Sequence, residues 1–201
     1  MPRAAAGTAC CPEALRARLM GRAWPERGWR RSPGSPVPAA VLIALLEPQG
    51  ASRILLTRRA GGLRDHPGQV SFPGGRVDPG DPTPEATALR EAHEEVGLDP
   101  GVVHILGRLG RYHTGTGFVI QPVVAAVREP VAWSPCEGEV EAVFELPLER
   151  LREGRVDGEV RVPDPLGRVQ RFPAMIHQEQ LIWGATAGML WQLREALQGI
   201  G

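Results

Sequence analysis

Arg90-Glu91-Ala92-His93-Glu94-Glu95-Val96-Gly97 is the stretch on which the reading of this chain turns. Glu91, Glu94 and Glu95 stand at i, i+3 and i+4, so a helix brings their carboxylates onto one face. Ala88, Leu89, Ala92 and Val96 give that helix an apolar surface with which to sit on a core. Thr83 suits the N-cap, Pro84 the first helical position and Gly97 the C-terminal stop, so the pattern predicts a helix over residues 84–96. The acidic cluster is unfavourable by itself. Each like-charge pair costs about 0.2–0.5 kcal/mol, and Glu94 and Glu95 meet the negative end of the helix dipole at roughly 0.3–1 kcal/mol each. Arg90 relieves Glu94 at i+4, but only that pair. A hard divalent cation, Mg²⁺ or Mn²⁺, would turn the repulsion into ligation. A solvated acidic helix face accounts for the same residues, and the helix alone leaves both readings open.

Working outward, Phe72-Pro73-Gly74-Gly75 precedes the helix by a short loop. Paired glycines let the backbone approach a ligand closely, or simply turn. Residues 61–84 read as loop. Before them, residues 40–46 and 53–57 are strand-like and flank Pro48-Gln49-Gly50, the pattern of a hairpin. After the helix, strands are expected at 102–109, 118–127 and 140–146, with Pro122 implying an edge position or a bulge. Residues 152–171 are glycine-rich and polar and read as a mobile hairpin, and an amphipathic helix is expected over 185–197. Residues 12–20 have helical spacing, and 24–38 read as a connector. Strands and helices mix without regular alternation, which favours an α+β sandwich.

Composition narrows the function classes. The 201 residues are 42% hydrophobic and 23% charged, the balance of one globular domain. No apolar run approaches the roughly 18 residues of a membrane span, and no membrane partner is expected. The 23 basic and 23 acidic residues give net charge +0, without the basic surplus of nucleic-acid binding. All the basic residues are arginine. Cys10, Cys11 and Cys136 form neither a disulfide framework nor a zinc pattern. The arginine-rich first 35 residues lack the apolar stretch of a leader, so a cytoplasmic location is expected. The five histidines show no metal-ligand spacing.

Taken together, Gly75, Asp81 and Arg90-Glu91-Ala92-His93-Glu94-Glu95-Val96-Gly97-Leu98 resemble the signature of the Nudix hydrolases, whose last part reads Arg-Glu-apolar-any-Glu-Glu-any-Gly-apolar. Asp81 stands where that signature has glutamate, one extra residue separates it from Arg90, and Ala92 is small for the apolar place. A second set is sharper: Leu55-Leu56-Thr57-Arg58-Arg59-Ala60, Arg64, Gly68 and Phe72-Pro73-Gly74-Gly75 resemble the extra motif of the coenzyme A pyrophosphatase branch. Thr116-Gly117-Phe118, Pro122-Val123-Val124 and Ile182-Trp183-Gly184-Ala185-Thr186-Ala187 are similar to other stretches of that branch. The resemblance covers most of residues 36–198.

It implies an α/β/α sandwich with a mixed central sheet over residues 36–201; residues 1–35 fall outside it and are expected to form an N-terminal helix and connector. It also implies Mg²⁺- or Mn²⁺-dependent hydrolysis of the pyrophosphate of coenzyme A to 3′,5′-ADP and 4′-phosphopantetheine. The substrate is then a small molecule, and a homodimer is left open. Glu91 and Glu95 are the expected metal ligands, with Glu94 a further ligand or a water activator. Arg90 is expected to orient the carboxylates and the glycine loop, Glu139 is the candidate base, and Arg59, Arg64, Gly74 and Gly75 are expected at the substrate. The alternatives are a Nudix enzyme acting on ADP-ribose, a dinucleotide or a nucleoside triphosphate, and a non-catalytic Nudix-like binding module.

Overall fold

The structure is a computed structural model and describes residues 10–28, 35–47, 51–63, 65–128, 130–163 and 169–200. In chain order the helices and strands are α1 (Pro12–Met20), β1 (Arg27–Gly28), β2 (Val37–Glu47), β3 (Arg53–Arg59), β4 (Val70–Ser71), β5 (Gly74–Arg76) and α2 (Pro84–Val96). There follow β6 (Val103–Arg108), β7 (Tyr112–His113), β8 (Phe118–Arg128), β9 (Val140–Pro147), α3 (Leu148–Arg152), β10 (Gly158–Pro163), β11 (Val169–His177), β12 (Gln180–Ile182) and α4 (Gly184–Leu197).

β2 is buried without a break from residue 39 to 46, the mark of a strand covered on both faces. Its alternate side chains feed two separate cores. Val41, Ile43 and Leu45 join the core under α1, α3 and α4, while Ala40, Leu42, Ala44 and Leu46 join Ala88, Ala92 and Val96 of α2. The same split divides Val124 from Val123 and Ala125 on β8, which runs parallel to β2 over eleven paired residues. Among the described residues the central sheet has nine strands in the path β1-β7-β8-β2-β3-β4, with β5 on β2, β6 on β8 and β9 on β3. The fold is therefore an α+β sandwich on a mixed sheet. No helix among the described residues is long and apolar enough to cross a membrane.

The expected hairpin of β2 and β3 is present but short, and the expected loop over 61–84 is corrected. β2 and β3 pair only at Leu45–Ile54 and Leu46–Arg53; the expected turn at 48–50 lies outside the described residues. Beyond that short contact they part, and β5 takes over the free side of β2 at residues 39–41. The substitution depends on Gly74, whose φ is +156° and where a Cβ would stand 2.4 Å from the Ala40 carbonyl oxygen. β4 and β5 thus lie inside a segment that reads as loop, because two- and three-residue strands carry no periodicity.

Pro122 lies at neither an edge nor a bulge of its strand. It sits inside β8 opposite Val41, at the level where β6 gives way to β7. Leu109 N–H donates to the Pro122 carbonyl at 3.1 Å, and proline cannot return the bond. The Gln121 side chain replaces it, its amide donating to the Leu109 carbonyl at 2.8 Å. The predicted hairpin over 152–171 is present as β10 and β11, paired antiparallel from Gly158–Ala174 to Pro163–Val169. Helix α1 packs Leu15 and Leu19 into the core it shares with α4.

Candidate active site

Helix α2 is bounded as its sequence dictates. Thr83 Oγ1 accepts from Ala86 N–H at 3.2 Å, and Pro84 occupies the first turn, where its missing donor costs nothing. At the other end Gly97 is left-handed at φ 71°, with Gly97 N–H bonded to the His93 carbonyl, the 5→1 bond of an αL closure, and Leu98 N–H to the Ala92 carbonyl. Two more carbonyls of the last turn are satisfied by the segment before β9. Ser134 N–H donates to Val96 and Cys136 N–H to Glu95, each at 2.9 Å.

The three glutamates share one side of α2 but not one environment. Glu95 faces the core at 6% exposure, Glu91 is half-buried and Glu94 is exposed. Glu95 carries its charge against little compensation: one weak bond from Gly74 N–H at 3.4 Å. Burial, then the nearby Glu91 carboxylate, push its pKa up to about 7. Burial also raises Glu91, although Arg90 Nη1 donates to it at 2.9 Å. Glu91 lies so close to β5 that a Cβ on Gly75 would meet its carboxylate at 2.5 Å. The backbone of β5 therefore contacts both inward glutamates, Gly74 touching Glu95 and Gly75 touching Glu91.

Arg90 organises the outer half. It makes a bidentate pair with Asp81, Nε to Oδ1 at 3.2 Å and Nη2 to Oδ2 at 2.9 Å, and also reaches Glu94 at 3.1 Å and the Arg76 carbonyl at 3.2 Å. The Arg90 guanidinium holds the Asp81 carboxyl down to about 2, and Asp81 in turn raises the Arg90 pKa. The sequence left the part played by Asp81 unassigned. Its distance of nine residues from Arg90, across a loop, carries no periodic signal, so only the fold reveals the clamp.

Two further expected residues come to the same place. Arg59 lies at a register shift between β3 and β9, and its charge lowers the pKa of Glu95. Its Nε is buried without a hydrogen-bond partner. The Glu139 carbonyl accepts from Ala60 N–H at 2.9 Å, and its carboxylate is near enough to add to the upward push on Glu95. Arg64 lies outside the described residues. His66 has a left-handed φ of 55° on the exposed loop after Arg59.

Do these residues suit a divalent cation? Among the described residues no three His, Cys, Asp or Glu side chains converge as a ready cage. Mg²⁺ does not ask for one; it is usually held by one or two carboxylates together with waters and substrate phosphates. Glu91 and Glu95 supply two all-oxygen ligands, one of them buried and poorly compensated, beside a glycine strand that leaves room. The donor set fits. Hard oxygen ligands beside arginines are the groups that metal-assisted phosphoryl chemistry uses.

Comparison with known proteins agrees. Residues 36–163 match the family model for the NUDIX domain. The chain is 44% identical over 159 residues to the "Uncharacterized Nudix hydrolase NudL" of Enterobacter sp. (strain 638), a match that covers 77% of this chain and 80% of that one. It is 42% identical over 161 residues to the protein of the same name from Cronobacter sakazakii, with the same coverage. Among solved structures, the M. smegmatis Nudix hydrolase RenU superposes with a TM-score of 0.54 at 21% identity, over 84% of this chain and 89% of that one. The NUDIX domain of Shewanella oneidensis NrtR, solved with ADP ribose, gives 0.52 at 16% identity, over 84% and 94%. The chain belongs to the Nudix hydrolase family, whose members generally use a divalent ion such as Mg²⁺ or Mn²⁺.

Proposed function

We propose that this enzyme hydrolyses the pyrophosphate linkage of coenzyme A or one of its derivatives, releasing 3′,5′-ADP and 4′-phosphopantetheine. The observation that carries the reading is the motif from Leu55 to Gly75. It resembles the coenzyme A pyrophosphatase branch, and its Arg59 is close enough for its charge to act on the buried Glu95. A guanidinium with an unpartnered buried Nε is suited to phosphate oxygens, which it can bind in a bidentate manner.

In this proposal the catalytic unit spans residues 36–201, and α1 and β1 of the preceding segment pack against it. Glu91 and Glu95 hold Mg²⁺ or Mn²⁺, with Glu94 a further ligand or a water activator. The bound cation would offset charge on the phosphate oxygens as a Lewis acid. Arg90, fixed by Asp81, holds the carboxylate of Glu91 and the end of β5 in register. Gly74 and Gly75 keep β5 free of side chains, so that backbone and substrate approach the carboxylates closely. Glu139 takes the proton from the attacking water, and Arg59 and Arg64 orient the diphosphate.

The test is the purified protein with excess Mg²⁺ and a panel of coenzyme A, ADP-ribose, a diadenosine polyphosphate and nucleoside triphosphates, with products identified by mass. The proposal expects 3′,5′-ADP and 4′-phosphopantetheine, with the highest kcat/KM on coenzyme A or an acyl or oxidised form of it. A higher kcat/KM on any other member of the panel would overturn it.

A further inference from the structure

The stretches that resemble the coenzyme A branch include residues 182–187, which have no part in the chemistry above and lie over a hundred residues from Arg59. In the fold they are neighbours of the motif. Thr186, in the first turn of α4, donates from Oγ1 to the Val70 carbonyl of β4 at 2.9 Å, and the side chain is 6% exposed. Just before it on β12, Gln180 Oε1 accepts from Arg58 Nη1 at 3.5 Å.

The direction of these bonds gives Thr186 a specific task. β4 is a two-residue strand at the end of the sheet path, paired with β3 on one side only. Arg59 N–H donates to the Gln69 carbonyl at 3.0 Å, and Gly68 N–H donates to the Arg59 carbonyl at 3.2 Å. The Gln69 carbonyl thus faces β3, and because carbonyls alternate along a strand the Val70 carbonyl faces away from it. An outward carbonyl on an edge strand normally meets water. Here Val70 is buried, and Thr186 meets it instead. The neighbouring Ser71 carbonyl is held from the inner side by Thr57 Oγ1 at 3.2 Å. The short strand that directly follows Gly68 and Gln69, the backbone partners of Arg59, is pinned from both sides, and Thr186 is the outer pin.

We propose that Thr186 is a positioning residue: its hydroxyl fixes β4 and, through the paired backbone, sets Arg59 for the phosphates of the substrate. The proposal rests on the reading of Arg59 given above, and it explains why two distant stretches mark the same branch.

Thr186→Val keeps the shape and removes the donor, while Thr186→Ser keeps the donor. Both are compared with the parent enzyme in steady-state kinetics with excess Mg²⁺ and in amide hydrogen exchange. Thr186→Val should raise KM roughly tenfold with kcat within about twofold, the scale expected when a binding group is misplaced by a fraction of an ångström. Thr186→Ser should stay within about twofold in both constants. Exchange across residues 66–71 should quicken in Thr186→Val alone, with α2 unchanged. An unchanged KM in Thr186→Val, or equal loss of kcat and thermal stability in both variants, would overturn the proposal. If the parent enzyme left coenzyme A intact, the substrate assignment would fail by itself. The KM on the nucleotide it does hydrolyse, together with the exchange pattern, would still decide the role of Thr186.

Discussion

Replacing Gly75 with alanine isolates the contact between β5 and the acidic helix. The added Cβ would stand 2.5 Å from both Cδ and Oε1 of Glu91, whereas ordinary contact begins at 3.4 Å, so the carboxylate must retreat by about 0.9 Å. The atoms that give way are the far end of a flexible side chain, and Gly75 does not need a positive φ. The cost to folding should therefore stay within about 1 kcal/mol. For catalysis the same shift is severe, because misplacing a ligand by about 1 Å can cost on the order of 10²-fold, or roughly 2.7 kcal/mol of transition-state stabilisation. Steady-state kcat/KM with Mg²⁺ in excess, paired with thermal unfolding, reads both quantities. The expected result is a loss of about 10²-fold with Tm changed by a few degrees at most. Gly74→Ala is the contrast: its Cβ would meet backbone of Ala40 and Val41 at 2.4 and 2.6 Å, at a φ of +156°, so it should cost stability first. A Gly75→Ala enzyme with kcat/KM within about threefold of the parent would refute the reasoning.

Four further outcomes follow from the site. Because the Glu95 carboxyl titrates near 7 in the fold instead of 4.5, the folded metal-free protein keeps a proton that the unfolded chain has lost between those values. Its stability should therefore fall as pH rises from 4.5 to 7. Urea unfolding in EDTA should show this slope, and Glu95→Gln should flatten it; a slope unaltered by the substitution contradicts the burial argument. In the loaded enzyme, Glu91→Gln and Glu95→Gln should each lower turnover by orders of magnitude while circular dichroism stays native, and near-normal turnover in both would remove the ligand assignment. Asp81→Asn should free Arg90 and lower kcat/KM by roughly 10–100-fold, the scale of lost outer-shell support, with parent-like kinetics as the contrary result. Arg59→Ala should raise KM for coenzyme A more than it lowers kcat, and an unchanged KM would end its assignment to phosphate.

Much of this was legible in the sequence, for reasons that differ by element. Helix α2 could be drawn to its last residue because Thr83, Pro84 and Gly97 are local signals with local physics. β2 and β8 could be found because buried strands read as apolar runs. The glutamates could be grouped because i, i+3 and i+4 fixes a face, yet that spacing does not say how far each residue sinks. The buried Glu95 and exposed Glu94 differ by one residue, and their separation depends on where the sheet lies. The Asp81–Arg90 clamp, the nearness of Arg59 to Glu95 and the bond from Thr186 to Val70 all join segments whose distance along the chain has no period. Pro122 misled for an instructive reason: the rule against proline in an interior strand assumes an unfilled acceptor, and Gln121 fills it.

The proposed chemistry requires Glu91 and Glu95 to gather one divalent cation against the glycine strand. The most direct measurement is an anomalous difference map from a crystal of the protein grown with Mn²⁺. It should show a peak bonded to carboxylate oxygens of both residues beside Gly75, and the peak should vanish in Glu95→Gln. Manganese bound elsewhere, or no peak with those carboxylates turned apart, would contradict it.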